Sequence, residues 1–297
     1  MLRNRRFLGG LLALLCLFLS KDLGARQSPA NDVSVLISAT DKYGRIVTTL
    51  RKEDIRVLED GSPRPIAAMT NADSIPISVE VLIDTSGSMK NFIARETPLA
   101  RQFLNLTIRR GKDRAAVTAF GKMSMRQQDS TDELANLHSA INAITSAAAN
   151  SSNKSLTSIY DAIVEAVNRL ASAEGRKIVL VVTDGEENSS RMSSKKTIEA
   201  LQKTDVAVYS ISRYPLETNT MRLLAEDTGG ITYSPGKDQN IDRGLRQVAR
   251  EMASQQILTF QPNAHKQPNK FHNIRIETTR PELKGVTFKY RRRYYAN

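Results

Sequence analysis

The sequence predicts an α/β fold: a doubly wound, mostly parallel six-stranded sheet with helices on both faces, joined to a small β domain formed by the N- and C-terminal flanks. Three observations predict it. Between residues 76 and 254, strand-length apolar runs alternate with helix-length periodic segments, the pattern of a parallel sheet covered on both sides. On either side of that span only short extended pieces occur, too short to make a stable sheet alone, so the two ends are expected to pack together. With 297 residues, 40% of them apolar and 25% charged, the composition is that of an ordinary globular chain rather than a disordered one.

The first element is a targeting segment. Arg3, Arg5 and Arg6 precede FLGGLLALLCLFL, an apolar run too short to span a bilayer comfortably, so residues 1–25 read as a secretory signal peptide with cleavage after Ala25. A retained membrane anchor is the alternative. Cys16, the one cysteine, lies inside this run, so neither a disulfide framework nor a thiol nucleophile is expected in the mature chain. Removing Arg3, Arg5, Arg6, Lys21 and Asp22 lowers the formal charge from +12 to +9. That surplus suits acidic partners or anionic surfaces, but the charges are dispersed, and only YRRRYY near the C-terminus clusters.

Residues 26–75 form the N-terminal β flank. VSVLISAT (33–40) alternates as a half-buried strand, DKYGR has turn chemistry, and IVTTL, DIRVLEDG and PIAAM continue as extended pieces. In the central span, 76–254, the strands are ISVEVLI (77–83), AAVTAF (115–120), KIVLVVT (177–183), VAVYSI (206–211) and ITYS (231–234), with MSMRQ (123–127) as a short antiparallel edge. Helices are expected at 97–110, with Thr97 as cap and Pro98 at the first position, and at 132–146, 157–173, 193–204, 219–228 and 238–254. The last carries Ile241, Leu245, Val248 and Met252 on one stripe, read as core. QQILTFQP, FHNIRIETT and GVTFKYRRRYYA complete the C-terminal β flank, 255–297.

In an open α/β sheet, ligands bind beyond the carboxyl ends of the strands, near the point where strand order reverses. Three segments should converge there: Asp84-Thr85-Ser86-Gly87-Ser88 after the first strand, Thr157 ahead of a helix, and Thr183-Asp184-Gly185 after KIVLVVT. Asp84, Ser86, Ser88, Thr157 and Asp184 pool two carboxylates and three hydroxyls, with no imidazole or thiolate. Such hard donors favour Mg²⁺, with Mn²⁺ or Ca²⁺ as alternatives, over zinc or copper. Taken singly, each residue has a plainer role: Thr157 as an N-cap, Asp184-Gly185 as a turn, Ser86-Gly87-Ser88 as a tight loop.

The D-x-S-x-S spacing, Thr157 before a helix and Thr183-Asp184-Gly185 resemble the metal-ion-dependent adhesion site of the von Willebrand factor type A domain family, whose fold is Rossmann-like. LLAEDTGGITY (223–233) resembles that family's late helix and strand. The resemblance implies that Ser86, Ser88 and Thr157 contact the ion, while Asp84 and Asp184 act largely through water and hydrogen bonds. The β flanks resemble those of bacterial exported proteins that carry such a domain. One departure is that Ser155 and Leu156 stand where the family's loop often has glycine, and Lys154 brings a positive charge that either raises the cost of holding a cation or attracts an acidic ligand.

Enzymatic readings find little support. Ser86 lacks a Gly-x-Ser-x-Gly elbow, no Walker-type phosphate loop occurs, and His138, His265 and His272 fall away from the strand-end loops. Asp184, Glu186 and Glu187 could be imagined as paired carboxylates for hydrolysis, but adjacent acids in a loop are usually just solvated. Nucleic-acid binding would need aromatics interleaved with the basic residues. The expectation is therefore a non-enzymatic, exported module, periplasmic or extracellular, that binds a protein partner presenting an Asp or Glu to a divalent cation; the alternative is a structural component of the envelope whose metal site only stabilises the fold. Membrane contact is expected only through a retained N-terminal segment.

Overall fold

The computed structural model describes residues 32–150, 156–211, 219–234, 241–263 and 267–296, with only the backbone of Ile241. The signal peptide, Lys154, Ser155 and His265 lie outside the described residues.

The N-terminal flank supplies β1 (Val33–Thr40), β2 (Ile55–Glu59), β3 (Ser62–Arg64) and β4 (Ile66–Asn71). IVTTL is not a strand: it makes a single bridge, Ile46 to Thr40. β1 is already paired along its length with two strands from the other end of the chain, which leaves IVTTL no ladder to join.

The central span supplies β5 (Ile77–Asp84), α1 (Ile93–Thr107), β6 (Arg114–Phe120), β7 (Ser124–Thr131), α2 (Leu134–Asn150), α3 (Ile159–Leu170), β8 (Arg176–Val182), α4 (Ser194–Gln202), β9 (Ala207–Ile211), α5 (Asn219–Thr228), β10 (Thr232–Tyr233) and α6 (Ile241–Ala253). The six strands form one sheet in the order β10-β9-β8-β5-β6-β7, parallel except for the edge strand β7. β5 sits in the middle and is buried on both faces, which is why it reads as a near-continuous apolar run.

One face packs against α1, α2 and α6, the other against α3, α4 and α5. Each fully buried aliphatic side chain in these two layers contributes about 1.5–3 kcal/mol. Leu245, Val248 and Met252 of α6 join the first layer, as their spacing predicts.

α1 starts earlier than Thr97. Pro98 lies inside the helix, and Thr97 does not cap it: its hydroxyl donates back to the Ile93 carbonyl at 2.8 Å. The proline removes one backbone bond. Starting at Ile93 lets that side chain and Met89 just before it be completely buried, and this burial offsets the lost bond.

The C-terminal flank supplies β11 (Gln256–Phe260), β12 (Lys270–Thr278), β13 (Thr287–Lys289) and β14 (Arg293–Ala296). GVTFKYRRRYYA is therefore two strands rather than one. β13 pairs with β1 and β14 with β12, in different sheets, and buried Tyr290 sits at the break with its hydroxyl accepting from Ile276 N at 3.0 Å.

The flanks build two four-stranded sheets, β13-β1-β11-β4 and β14-β12-β2-β3, around a shared core that includes Val35, Ile37, Val57, Leu258, Phe260 and Ile274. β4, which leads into the α/β unit, and β11, which leaves it, are antiparallel neighbours, and Ala72 N donates to Gln255 O at 2.9 Å. Glu251 of α6 ties the unit to both flanks, accepting from Ser38 Oγ at 2.7 Å and Lys289 Nζ at 2.8 Å.

Candidate metal centre

After β7 the chain crosses through α2 and α3 to return on the other side of β5, so the strand order reverses between β5 and β8. The crevice beyond their carboxyl ends is where such a sheet takes a ligand. Asp84 ends β5, and Thr183 and Asp184 follow β8, so parallel pairing brings them together.

Asp84 is completely buried. Its Oδ1 accepts from Ser86 N at 2.8 Å and its Oδ2 from the Thr183 hydroxyl at 2.7 Å. The next loop is pinned to β6, because Thr85 donates to the Phe120 carbonyl through both its N–H and its hydroxyl. Ser86 Oγ and Ser88 Oγ are 3.1 Å apart, Ser88 opens a short 3₁₀ turn to Asn91, and buried Met89 anchors that turn.

Thr157 is buried, and among the described residues its hydroxyl has no hydrogen-bond partner. It is not an N-cap, since α3 begins at Ile159 and its first amides are held from elsewhere. Thr157 is fixed instead by Asn188 on the loop after β8: Thr157 N donates to Asn188 Oδ1 at 2.9 Å and Asn188 N to Thr157 O at 3.2 Å. Ser158 N donates to Gly121 O, which ties this segment to the end of β6 as well.

Asp184 is buried, with Oδ1 accepting from Glu186 N at 3.1 Å, and Gly185 takes the left-handed conformation that this turn needs (φ +90°). The turn reading of Asp184-Gly185 therefore describes its backbone. Glu186 is exposed, but Glu187 is not a solvated acid. Its Oε2 accepts from Ile159 N at 2.6 Å and caps α3 from a distant loop, while its Oε1 accepts from Ser189 N and Ser190 N at 2.9 and 2.8 Å.

Burial pushes the Asp84 carboxyl up to about 7, with the neighbouring Asp184 adding to the rise, while hydrogen bonds from Thr183 and Ser86 only partly oppose it. Among the described residues neither carboxylate forms an ion pair. A buried carboxylate without a counter-charge and a buried hydroxyl without a partner are both unfavourable in isolation. A hard divalent cation would relieve both, so the residues present fit such an ion. No three His, Cys, Asp or Glu side chains gather to hold a metal among the described residues, which leaves hydroxyls as the larger part of this donor set.

The structure thus joins Asp84, Ser86 and Ser88 directly, places Asp184 beside Asp84, and stitches Thr157 to the same edge through Asn188. Sequence reasoning missed Asn188 and the two acceptor roles of Glu187. Thr183 was visible beside Asp184, but its bond to Asp84 was not.

The family model for the von Willebrand factor type A domain matches residues 79–240, just over half of the chain. No curated protein sequence matches. Among solved structures, the chain is similar to an aerotolerance-related membrane protein from Bacteroides fragilis, at 15% identity and TM-score 0.47, covering 59% of this chain and 98% of that one. It is also similar to the vWF domain of the type V pili tip protein Mfa5 from Porphyromonas gingivalis, at 13% identity and TM-score 0.43, over 60% and 95% of the two chains. A third neighbour is proximal thread matrix protein 1 from the mussel byssus with a zinc-occupied MIDAS motif: 19% identity, TM-score 0.48, covering 67% of this chain and about half, 50%, of that one. With that match over its central span, and with a doubly wound sheet whose switch point gathers Asp84, Ser86, Ser88 and Asp184, the chain belongs to the von Willebrand factor type A domain family.

Proposed function

We propose that this protein is an exported, divalent-cation-dependent binding module in which Ser86, Ser88 and Thr157 hold the ion, Asp84 and Asp184 support it through hydrogen bonds and charge, and an acidic group of a protein partner completes its coordination. The observation that carries this reading is the buried, partnerless Thr157 hydroxyl on a loop stitched to the same edge as Asp84. When bound, the cation would supply a positive centre able to receive a carboxylate. The chain's own part is to orient: Thr183 and the Ser86 amide fix the Asp84 carboxylate, and Asn188 fixes the Thr157 backbone. The three donors proposed to touch the ion are neutral hydroxyls and the two carboxylates only balance its charge, so no excess negative charge opposes a ligand acid.

Mg²⁺ is the ion we assign, with Mn²⁺ and Ca²⁺ as competitors, and no covalent chemistry is part of the proposal. Export to the periplasm or beyond rests on the basic and apolar N-terminal segment of the sequence. Among the described residues no helix is long and apolar enough to cross a membrane. Calorimetric titration of Mg²⁺, Mn²⁺ and Ca²⁺ into the wild type and Asp84→Ala tests the reading. Submillimolar binding that is lost in the variant supports it; no ion binding at that level in the wild type ends it.

A further inference from the structure

Arg176 opens β8, at the end of the sheet opposite Asp84. It is almost fully buried (4% exposed), with Nη1 donating to Met252 O at 2.8 Å and Gln255 Oε1 at 3.2 Å. Arg291 belongs to the YRRRYY cluster. Arg292 of that cluster stacks on Tyr290 and Arg293 donates to Asn273, both exposed, whereas Arg291 turns inward and donates to Thr204 O and Ser34 O.

Both arginines line one cavity of about 320 Å³ between the floor of the six-stranded sheet and strands β1 and β11. Its other walls are mainly apolar and include Val35, Leu36, Ile75, Ala207 and Ile257.

In each arginine the Nε–H is buried and has no hydrogen-bond partner, and among the described residues neither forms an ion pair. A guanidinium whose Nε–H is buried without an acceptor is an unfavourable arrangement, and a planar oxyanion is the best complement of such a group. Burial holds both guanidinium groups below their usual basicity, and the charges of Asp205 on Arg291 and of Asp113 and Asp73 on Arg176 only partly oppose it. Asp205 also lines the cavity, but it is exposed and its carboxylate lies 3.3 Å from Lys177 Nζ. Its ion pair is with Lys177, and its charge acts on Arg291 without pairing with it among the described residues.

We propose that this cavity binds a small monocarboxylate with an apolar body, the carboxylate held by Arg176 and Arg291 and the body lying against Val35, Leu36, Ala207 and Ile257. The volume falls at the lower end of ligand clefts, about 300–1,000 Å³, which fits a small molecule rather than a protein segment. The site is separate from the metal edge and does not depend on the proposed function.

The test is calorimetry and methyl NMR on the full chain in EDTA with octanoate, octanol and octylamine as probes. Octanoate is expected to bind at submillimolar concentration, to shift the Ala207, Val35 and Ile257 methyl signals, and to leave Ile83 at the metal edge unmoved. Octanol and octylamine are expected to bind at least tenfold more weakly. Arg291→Gln should weaken octanoate at least tenfold. Asp205→Asn, at an exposed position that cannot disturb the core, should tighten it about threefold by removing a like charge. No octanoate binding at millimolar concentration, equal binding of octanol, or an octanoate affinity unchanged in Asp205→Asn and in any folded Arg291→Gln protein overturns the proposal and leaves a cavity filled by water.

Discussion

Thr183 donates its hydroxyl to Asp84 at 2.7 Å, and both side chains are fully buried although they lie 99 residues apart in sequence. This bond joins two neighbouring strand ends and holds one carboxylate oxygen at the switch point of the sheet.

The first prediction concerns pH. In the metal-free protein the Asp84 carboxyl stands at about 7, against 3.8 for a free side chain. An acid whose pKa is raised by folding holds its proton more tightly when folded. Metal-free stability is therefore fully present below about pH 4, falls as pH rises through 7, and is flat beyond; the loss is on the order of 4 kcal/mol. Asp84→Asn should abolish that slope. Urea denaturation in EDTA from pH 4 to 8.5 reads it, and a wild type whose stability is level across that range contradicts it. Cation affinity runs the other way, rising with pH as Asp84 ionises.

Thr157→Val separates the metal role from a structural one. The change keeps the shape and removes a hydroxyl that has no partner, so metal-free stability should hold or improve by about 1 kcal/mol. The rise in melting temperature on adding Mg²⁺ should disappear. A variant that is destabilised in EDTA yet keeps its Mg²⁺ response would show that the hydroxyl serves packing alone.

Glu187 and Asn188 sit side by side but should give different phenotypes. Glu187→Ala strips the α3 amides and the Ser189–Ser190 turn of their acceptor, costing about 2 kcal/mol in denaturant titrations. Asn188→Ala, at an exposed position, should cost about 1 kcal/mol or less but weaken cation binding severalfold by freeing the Thr157 backbone. Equal effects of the two changes on both measurements would contradict this division.

Deleting residues 255–297 removes β11 from between β1 and β4 and β12 from beside β2. The remaining strands would present open apolar edges. Size-exclusion chromatography should show aggregates, and a monomeric, fully folded truncation would show that the N-terminal strands stand without their partners.

The sheet and its edge were legible because β5, β8 and β9 are buried apolar runs and because Asp84, Ser86 and Ser88 fall together at the end of one of them. The start of α1 was misread because Pro98 and Thr97 make a good local beginning, while the burial of Ile93 and Met89 is a tertiary gain that no local signal carries. The break in GVTFKYRRRYYA was hidden for a similar reason: alternation looks the same whether a segment serves one sheet or two, and only Tyr290 reaching Ile276 settles it. Glu187 acts on the first turn of α3, 28 residues before it, and Asn188 on Thr157, 31 residues before it, so nothing in their own neighbourhood announced the role.

The adjacency of β4 and β11 makes the α/β unit a guest in a β host. Its entry and exit lie one ladder rung apart, so the host's own pairing, Asn71 opposite Gln256, closes the gap that excision would leave. A short peptide bridge across that rung would let each part be produced without the other, and the cavity floored by Arg176 would then come apart into two half-walls.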